Sequence, residues 1–115
     1  GRPSPLMMYR CFADLGIWPA STVVKVDDTG VGIAEGLNAG CWTVGVAISG
    51  NANGSSLPEW QALPSAEQAS IRKAATQQLQ DAGAHFVIDS VADLMPVIAQ
   101  INQHLQKQEL PVHAA

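Results

Sequence analysis

The stretch Val23-Val24-Lys25-Val26-Asp27-Asp28-Thr29-Gly30-Val31-Gly32 decides the fold. It begins as a short β-branched apolar run and ends in two adjacent carboxylates, followed by glycines. Such a run reads as a buried strand over 23–26 whose C-terminal end carries acid into a loop. In open α/β sheets ligands gather at that edge, so paired acids there mark a candidate metal site. Two neighbouring carboxylates repel unless a cation sits between them or one takes up a proton. The competing reading is a solvated turn that opens on Asp.

Outward from this stretch, helices and strands alternate. A helix is expected from near Pro5, capped by Ser4, with Met8, Cys11, Phe12 and Leu15 as its apolar stripe and Gly16 as its stop. After the acid pair, a short helix over 31–39 ends at Gly40, and a second strand covers 42–46. Residues 50–56 read as a polar loop. One helical turn is expected over 58–63. A capping box of Ser65 and Gln68 opens a helix that runs to about Ala82 and closes at Gly83. A third strand covers 85–88. The last helix starts at Ser90 or Asp93, and Pro96 favours Asp93 because a proline is tolerated in the first turn.

This order predicts an α/β fold: part of a doubly wound parallel sheet, about three parallel strands with flanking helices and right-handed crossovers. Three strands alone leave a sheet edge and apolar faces uncovered. The chain also opens on Gly rather than Met, and both features create the expectation of a fragment. Residues 1–109 are expected to form the C-terminal part of a core domain, with 110–115 as a loose tail.

Composition narrows the function classes. The 115 residues are 47 % hydrophobic and carry a formal charge of -4. This size suits one small domain, and the negative charge argues against nucleic acid or an anionic membrane as partner. No window approaches the roughly 18 uncharged apolar residues of a membrane span. Cys11 and Cys41 lack metal-ligand spacing, which fits a reduced, cytoplasmic setting. There is no nucleophile elbow, no phosphate-cradling Gly-Lys-Ser/Thr loop and no dinucleotide fingerprint.

Three residues carry the chemical argument. Asp27 and Asp28 end a strand, and Arg2 precedes a helix whose start lies at the same sheet edge. A guanidinium fork and an acid pair suit a phosphoryl group bridged by magnesium, which takes only one or two protein carboxylates. For Arg2 the alternative is a solvated terminus. Lys25 invites an imine role, but alternation turns it away from Val24 and Val26, and a structural part is favoured. His85, His104 and His113 have no partners at ligand spacing. Core packing accounts for Trp18, Trp42 and Trp60 better than base stacking does.

These residues also carry a resemblance. Gly1-Arg2-Pro3-Ser4-Pro5, Val24-Lys25-Val26-Asp27-Asp28-Thr29 and Gly32-Ile33-Ala34-Glu35-Gly36-Leu37-Asn38-Ala39-Gly40-Cys41-Trp42-Thr43-Val44-Gly45-Val46 resemble the haloacid-dehalogenase superfamily. Within it, the Arg-Pro opening and Gly83-Ala84-His85-Phe86-Val87-Ile88-Asp89 resemble the phosphonoacetaldehyde hydrolase family. The resemblance implies a magnesium-dependent hydrolase that cleaves phosphonoacetaldehyde to acetaldehyde and phosphate, homodimeric as a full-length protein. It implies Asp28 as the main metal ligand, Asp27 as its support directly or through water, and Arg2 as the contact to the phosphoryl group. Some relatives carry a further acid four positions after the ligand, where this chain has Gly32. The nucleophilic aspartate and the imine-forming lysine are implied upstream of this segment.

The main rivals are another phosphatase or a sugar-phosphate mutase of the same superfamily, and a response-regulator receiver domain. A receiver needs an Asp at the end of a middle strand and a Lys after a later one. Here strand 42–46 runs into Ala47-Ile48-Ser49, and no strand with a lysine follows Asp89.

Overall fold

In the computed structural model, which describes residues 2–48 and 57–111, β2 (Trp42–Val46) is the middle strand and all five of its residues are buried. It pairs in parallel with β1 (Val24–Asp27) on one side and β3 (Phe86–Ile88) on the other. Val24 lies opposite Trp42 and Asp27 opposite Gly45, while Val44 lies opposite Phe86. Around this sheet run α1 (Leu6–Leu15), α2 (Gly30–Asn38), α3 (Leu57–Ala62), α4 (Ser65–Asp81) and α5 (Leu94–Gln106). Short 3-10 turns cover Ala20–Thr22 and Val91–Asp93.

Helices cover both faces of the sheet, as parallel strands require. On one face Ile33 and Leu37 of α2 and Ala75 and Leu79 of α4 meet Ala47, Ile48, Trp60 and Ala84. On the other, Trp42, Val44, Val46 and Ile88 pack against Val97 and Ile101 of α5. The two sets follow strand alternation: Trp42, Val44 and Val46 face α5, and Gly45 faces α4, where an added Cβ would lie 3.0 Å from Leu79. The expected α/β architecture of three parallel strands with flanking helices is the one observed.

Several boundaries move, for physical reasons. The first strand begins and ends one residue later than expected, so Asp27 is its last member and only Asp28 enters the loop. Ser65 is already inside α4, and no Ser65–Gln68 capping box forms. Pro64, in an extended conformation, holds the position before the helix, and the Gln68 side chain donates instead to the Trp60 carbonyl at 2.8 Å. The start of the last helix is divided: Ser90 and Asp93 form a capping box for the 3-10 turn, and Asp93 then precedes α5. Pro96 falls in the first turn of α5, where its missing N–H costs little. Trp42 and Trp60 are core residues as expected, but Trp18 is not: it lies between α1 and the first 3-10 turn, 88 % exposed. The predicted loop at 50–56 and the tail beyond residue 111 lie outside the described residues.

Candidate active site

The placement of Asp27 as a strand residue sets the site. Alternation gives it the same face as Lys25, the face covered by α2, whereas Val24 and Val26 pack toward the α5 side. Thr29 caps α2, its hydroxyl accepting the Gly32 N–H at 3.0 Å. The same hydroxyl donates to Asp27 Oδ1 at 2.8 Å, and the Thr29 N–H donates to that oxygen at 2.9 Å. Asp27 Oδ2 receives Arg2 Nη2 at 2.9 Å and Lys25 Nζ at 3.3 Å. Both carboxylate oxygens are therefore held by the protein's own donors.

Glu35, nearly two turns beyond the cap on α2, completes the cluster. Its Oε1 lies 2.9 Å from Lys25 Nζ and 3.6 Å from Arg2 Nε. The side chain of Glu35 is 6 % exposed and that of Arg2 42 %, so the cluster grades from a buried acid to an accessible cation. Two acids and two cations balance in charge, which is the condition for burying them. Burial pushes Asp27 up, but the Thr29 hydroxyl and N–H, then Lys25 and Arg2, outweigh it and hold the carboxyl below its ordinary range. Burial likewise pulls Lys25 down, and its bonds to Glu35 and Asp27 outweigh that, so the amine is held above its ordinary value.

The geometry depends on two glycines of α2. A Cβ on Gly32 would fall 2.0 Å from the Asp27 carboxylate and 2.1 Å from Arg2 Nη2. A Cβ on Gly36 would fall 2.8 Å from the Lys25 stem and 2.9 Å from Thr43. No side chain at either position is compatible with the ion pairs as they stand. The space a residue at 32 would fill is the seat of the Arg2–Asp27 bridge.

Arg2, Asp27 and Asp28 do not form one compact trio. Arg2 joins Asp27, and with Ser4, Leu6, Met7 and Glu35 it lines a hollow of about 360 Å³. Asp28 lines another hollow of about 260 Å³ with Val26, Asp27, Val46 and Val91. Asp27 links the two through its bond to Arg2, since it lines the second hollow and not the first. Among the described residues no group of three or more His, Cys, Asp or Glu could hold a metal by itself. Asp28 can offer one carboxylate to a hard cation that draws its other ligands from water and phosphate oxygens.

Lys25 and Glu35 belong to the cluster, although sequence reasoning gave Lys25 a structural part and left Glu35 unremarked. Two signals pointed to them: Lys25 shares strand parity with Asp27, and Glu35 shares a helix face with Gly32 and Gly36. A lone acid flanked by glycines on one helix face marks a close approach to a strand. His85 is satisfied structurally, its Nδ1 accepting the Thr43 N–H at 3.0 Å. Cys41 is buried, and burial pushes its thiol up to about 11 against a pull from Lys25, so it is no nucleophile. No helix among the described residues is long and apolar enough to cross a membrane.

No family model matches the chain. Known proteins do. Phosphonoacetaldehyde hydrolase of Paraburkholderia xenovorans is 57 % identical over 111 residues, which are 96 % of this chain and 42 % of the relative. The Klebsiella pneumoniae enzyme of the same name is 50 % identical over the same share of this chain and 41 % of its own length. The crystal structure of a phosphonoacetaldehyde hydrolase-like protein from Oleispira antarctica superposes with a TM-score of 0.92 at 51 % identity, covering 96 % of this chain and 40 % of that one. The chain spans about two fifths of the length of the curated relatives it matches.

Proposed function

We propose that this chain, a homologue of phosphonoacetaldehyde hydrolases through 111 of its residues, supplies the phosphoryl-binding half of such an enzyme's core. The observation that carries the reading is the seating of Arg2. Its guanidinium is fixed by Thr29 and by Asp27, the last residue of β1, while staying partly exposed where it lines a hollow with Ser4, Leu6, Met7 and Glu35. A fixed, accessible guanidinium suits the oxygens of a phosphoryl group.

In this reading Arg2 holds and orients the phosphoryl oxygens, and Asp28 is the direct carboxylate for magnesium. Asp27 supports that ion through water, since its own oxygens already hold Arg2, Lys25 and Thr29. Magnesium, when bound, supplies positive charge that offsets charge building on the phosphoryl oxygens. Cleavage of a phosphorus–carbon bond also needs a carboxylate nucleophile and an amine that forms an imine with the aldehyde, so that the departing carbon does not leave as a free carbanion. Lys25 does not suit the second part, because Glu35 and Asp27 keep it protonated and an imine forms from the free amine. Both groups are assigned to the part of the enzyme outside these residues. The assembled enzyme is proposed to be a cytoplasmic homodimer.

The test is acetaldehyde release from phosphonoacetaldehyde by the full-length protein. Arg2→Ala is expected to lower kcat/KM by about 10²–10³-fold, the usual cost of one oxyanion donor. Asp28→Ala is expected to cripple turnover at limiting magnesium. Wild-type protein that releases no acetaldehyde, or an Arg2→Ala variant with full activity, ends this assignment.

A further inference from the structure

We infer that Lys25 is a positioning residue: it takes up the buried charge of Glu35 and so leaves the Arg2 guanidinium with a free edge for an anionic ligand. The inference rests on the phosphoryl-binding reading above and concerns two residues that it leaves without a part.

The distances show how charge is shared. Glu35 Oε1 sits at hydrogen-bond length from Lys25 Nζ, 2.9 Å, but at 3.6 Å from Arg2 Nε. Given both cations, the buried acid is bonded to the lysine and stands off from the arginine. Arg2 consequently spends Nη2 on Asp27 and Thr29, and Nη1 bonds to none of the described residues. Without Lys25, Glu35 and Asp27 would both face the single Arg2 guanidinium. A buried carboxylate without its counter-ion is costly, so Arg2 would be drawn down onto Glu35 and its edge lost.

A second effect acts on the ligand directly. Glu35 lines the same hollow as Arg2, and an unneutralised carboxylate there repels an incoming anion. Lys25 cancels that repulsion from behind. Gly36 makes the arrangement possible, since any Cβ there would meet the lysine stem at 2.8 Å.

The test uses the full-length protein, with inorganic phosphate as the probe of the anion site by calorimetry and phosphonoacetaldehyde as the substrate. Lys25→Met, which keeps the stem and removes the charge, is expected to weaken phosphate binding about tenfold or more and to raise KM more than it lowers kcat. Glu35→Gln, which leaves Lys25 paired with Asp27, is expected to change phosphate affinity less than about threefold. The double variant Lys25→Met/Glu35→Gln is expected to recover most of the loss. A purely structural ion pair behaves otherwise: both single variants lose equally and the double variant does not recover, which overturns the inference. Should Lys25→Met not fold, a tenfold loss in Glu35→Gln alone overturns it. Phosphate binding is read without turnover, so a wild-type protein inactive on phosphonoacetaldehyde defeats the substrate reading and leaves this test standing.

Discussion

Helices α1 and α2 are nearly equal in length and opposite in everything that determines their worth. Helix α1, Leu-Met-Met-Tyr-Arg-Cys-Phe-Ala-Asp-Leu, is made of mostly good helix formers, ends on Gly16 in the left-handed region (φ 67°), and buries none of its residues. Leu6, Met7 and Leu15 are each about two-thirds exposed or more. The segment is tied to α2 by the Tyr9 hydroxyl donating to the Asn38 carbonyl at 3.3 Å and the Asn38 side-chain amide donating to the Pro3 carbonyl at 3.0 Å. Helix α2 carries three glycines in nine residues, each weakening an isolated helix, yet buries Gly32, Ile33, Glu35, Gly36 and Leu37. Helical stability in proteins comes mainly from what a helix packs against, and by that measure α2 is the better anchored of the two. The glycines that weaken α2 are what bring its backbone close enough to β1 for Asp27, Lys25 and Arg2 to be clamped against it.

The contrast breaks first at Ile33. It is fully buried on α2, so Ile33→Ala is expected to destabilise the folded domain by about 2–5 kcal/mol, seen as a lower denaturant midpoint and lost amide protection in α2. A cost near zero would mean that α2 is no more anchored than α1.

Acid sharpens the contrast at the seat of the clamp. The Asp27 carboxyl is depressed below its ordinary value of 3.8, so it adds stability that is complete above that value and is lost as pH falls through the folded-state value. Denaturant midpoints measured from about pH 5 to about pH 2 should fall, and Asp27→Asn should fall less steeply over the same interval. Lys25, raised above 10.5, acts in the opposite sense: its contribution holds below 10.5 and is lost only at higher pH. An acid slope identical in Asp27→Asn and the parent would remove Asp27 from the cluster's energetics. The smallest effect belongs to α1, where Leu15→Ala is expected to shift stability by no more than about 0.5 kcal/mol. A larger loss would show that the exposed face of α1 is covered in the full-length protein, which is how extended apolar patches are commonly explained.

Much of this was legible in the residues. The strand–acid–helix order, the parallel sheet and the stops at Gly16 and Gly40 follow from alternation, period and glycine placement. The Ser65–Gln68 box was misread because the pattern of a capping box also arises where a preceding proline does the positioning and the glutamine bonds to a neighbouring helix. Trp18 was misread because aromatic bulk argues for burial only where another element is available to cover it. Glu35 went unremarked since a single acid on a short helix looks like a solvated face until the strand beneath it is placed.

From the sequence alone came the kind of sheet, the edge at which acids gather and the three residues worth watching, because hydrophobic period and turn chemistry are local properties. Only the tertiary structure decided that Asp27 turns inward to hold Arg2 while Asp28 opens on a separate hollow. It also decided that Lys25 answers a glutamate ten residues away on a helix. Strand alternation states which side chains share a face, but what covers that face depends on how closely the crossover helix can approach. Here two absent side chains, at Gly32 and Gly36, set that distance.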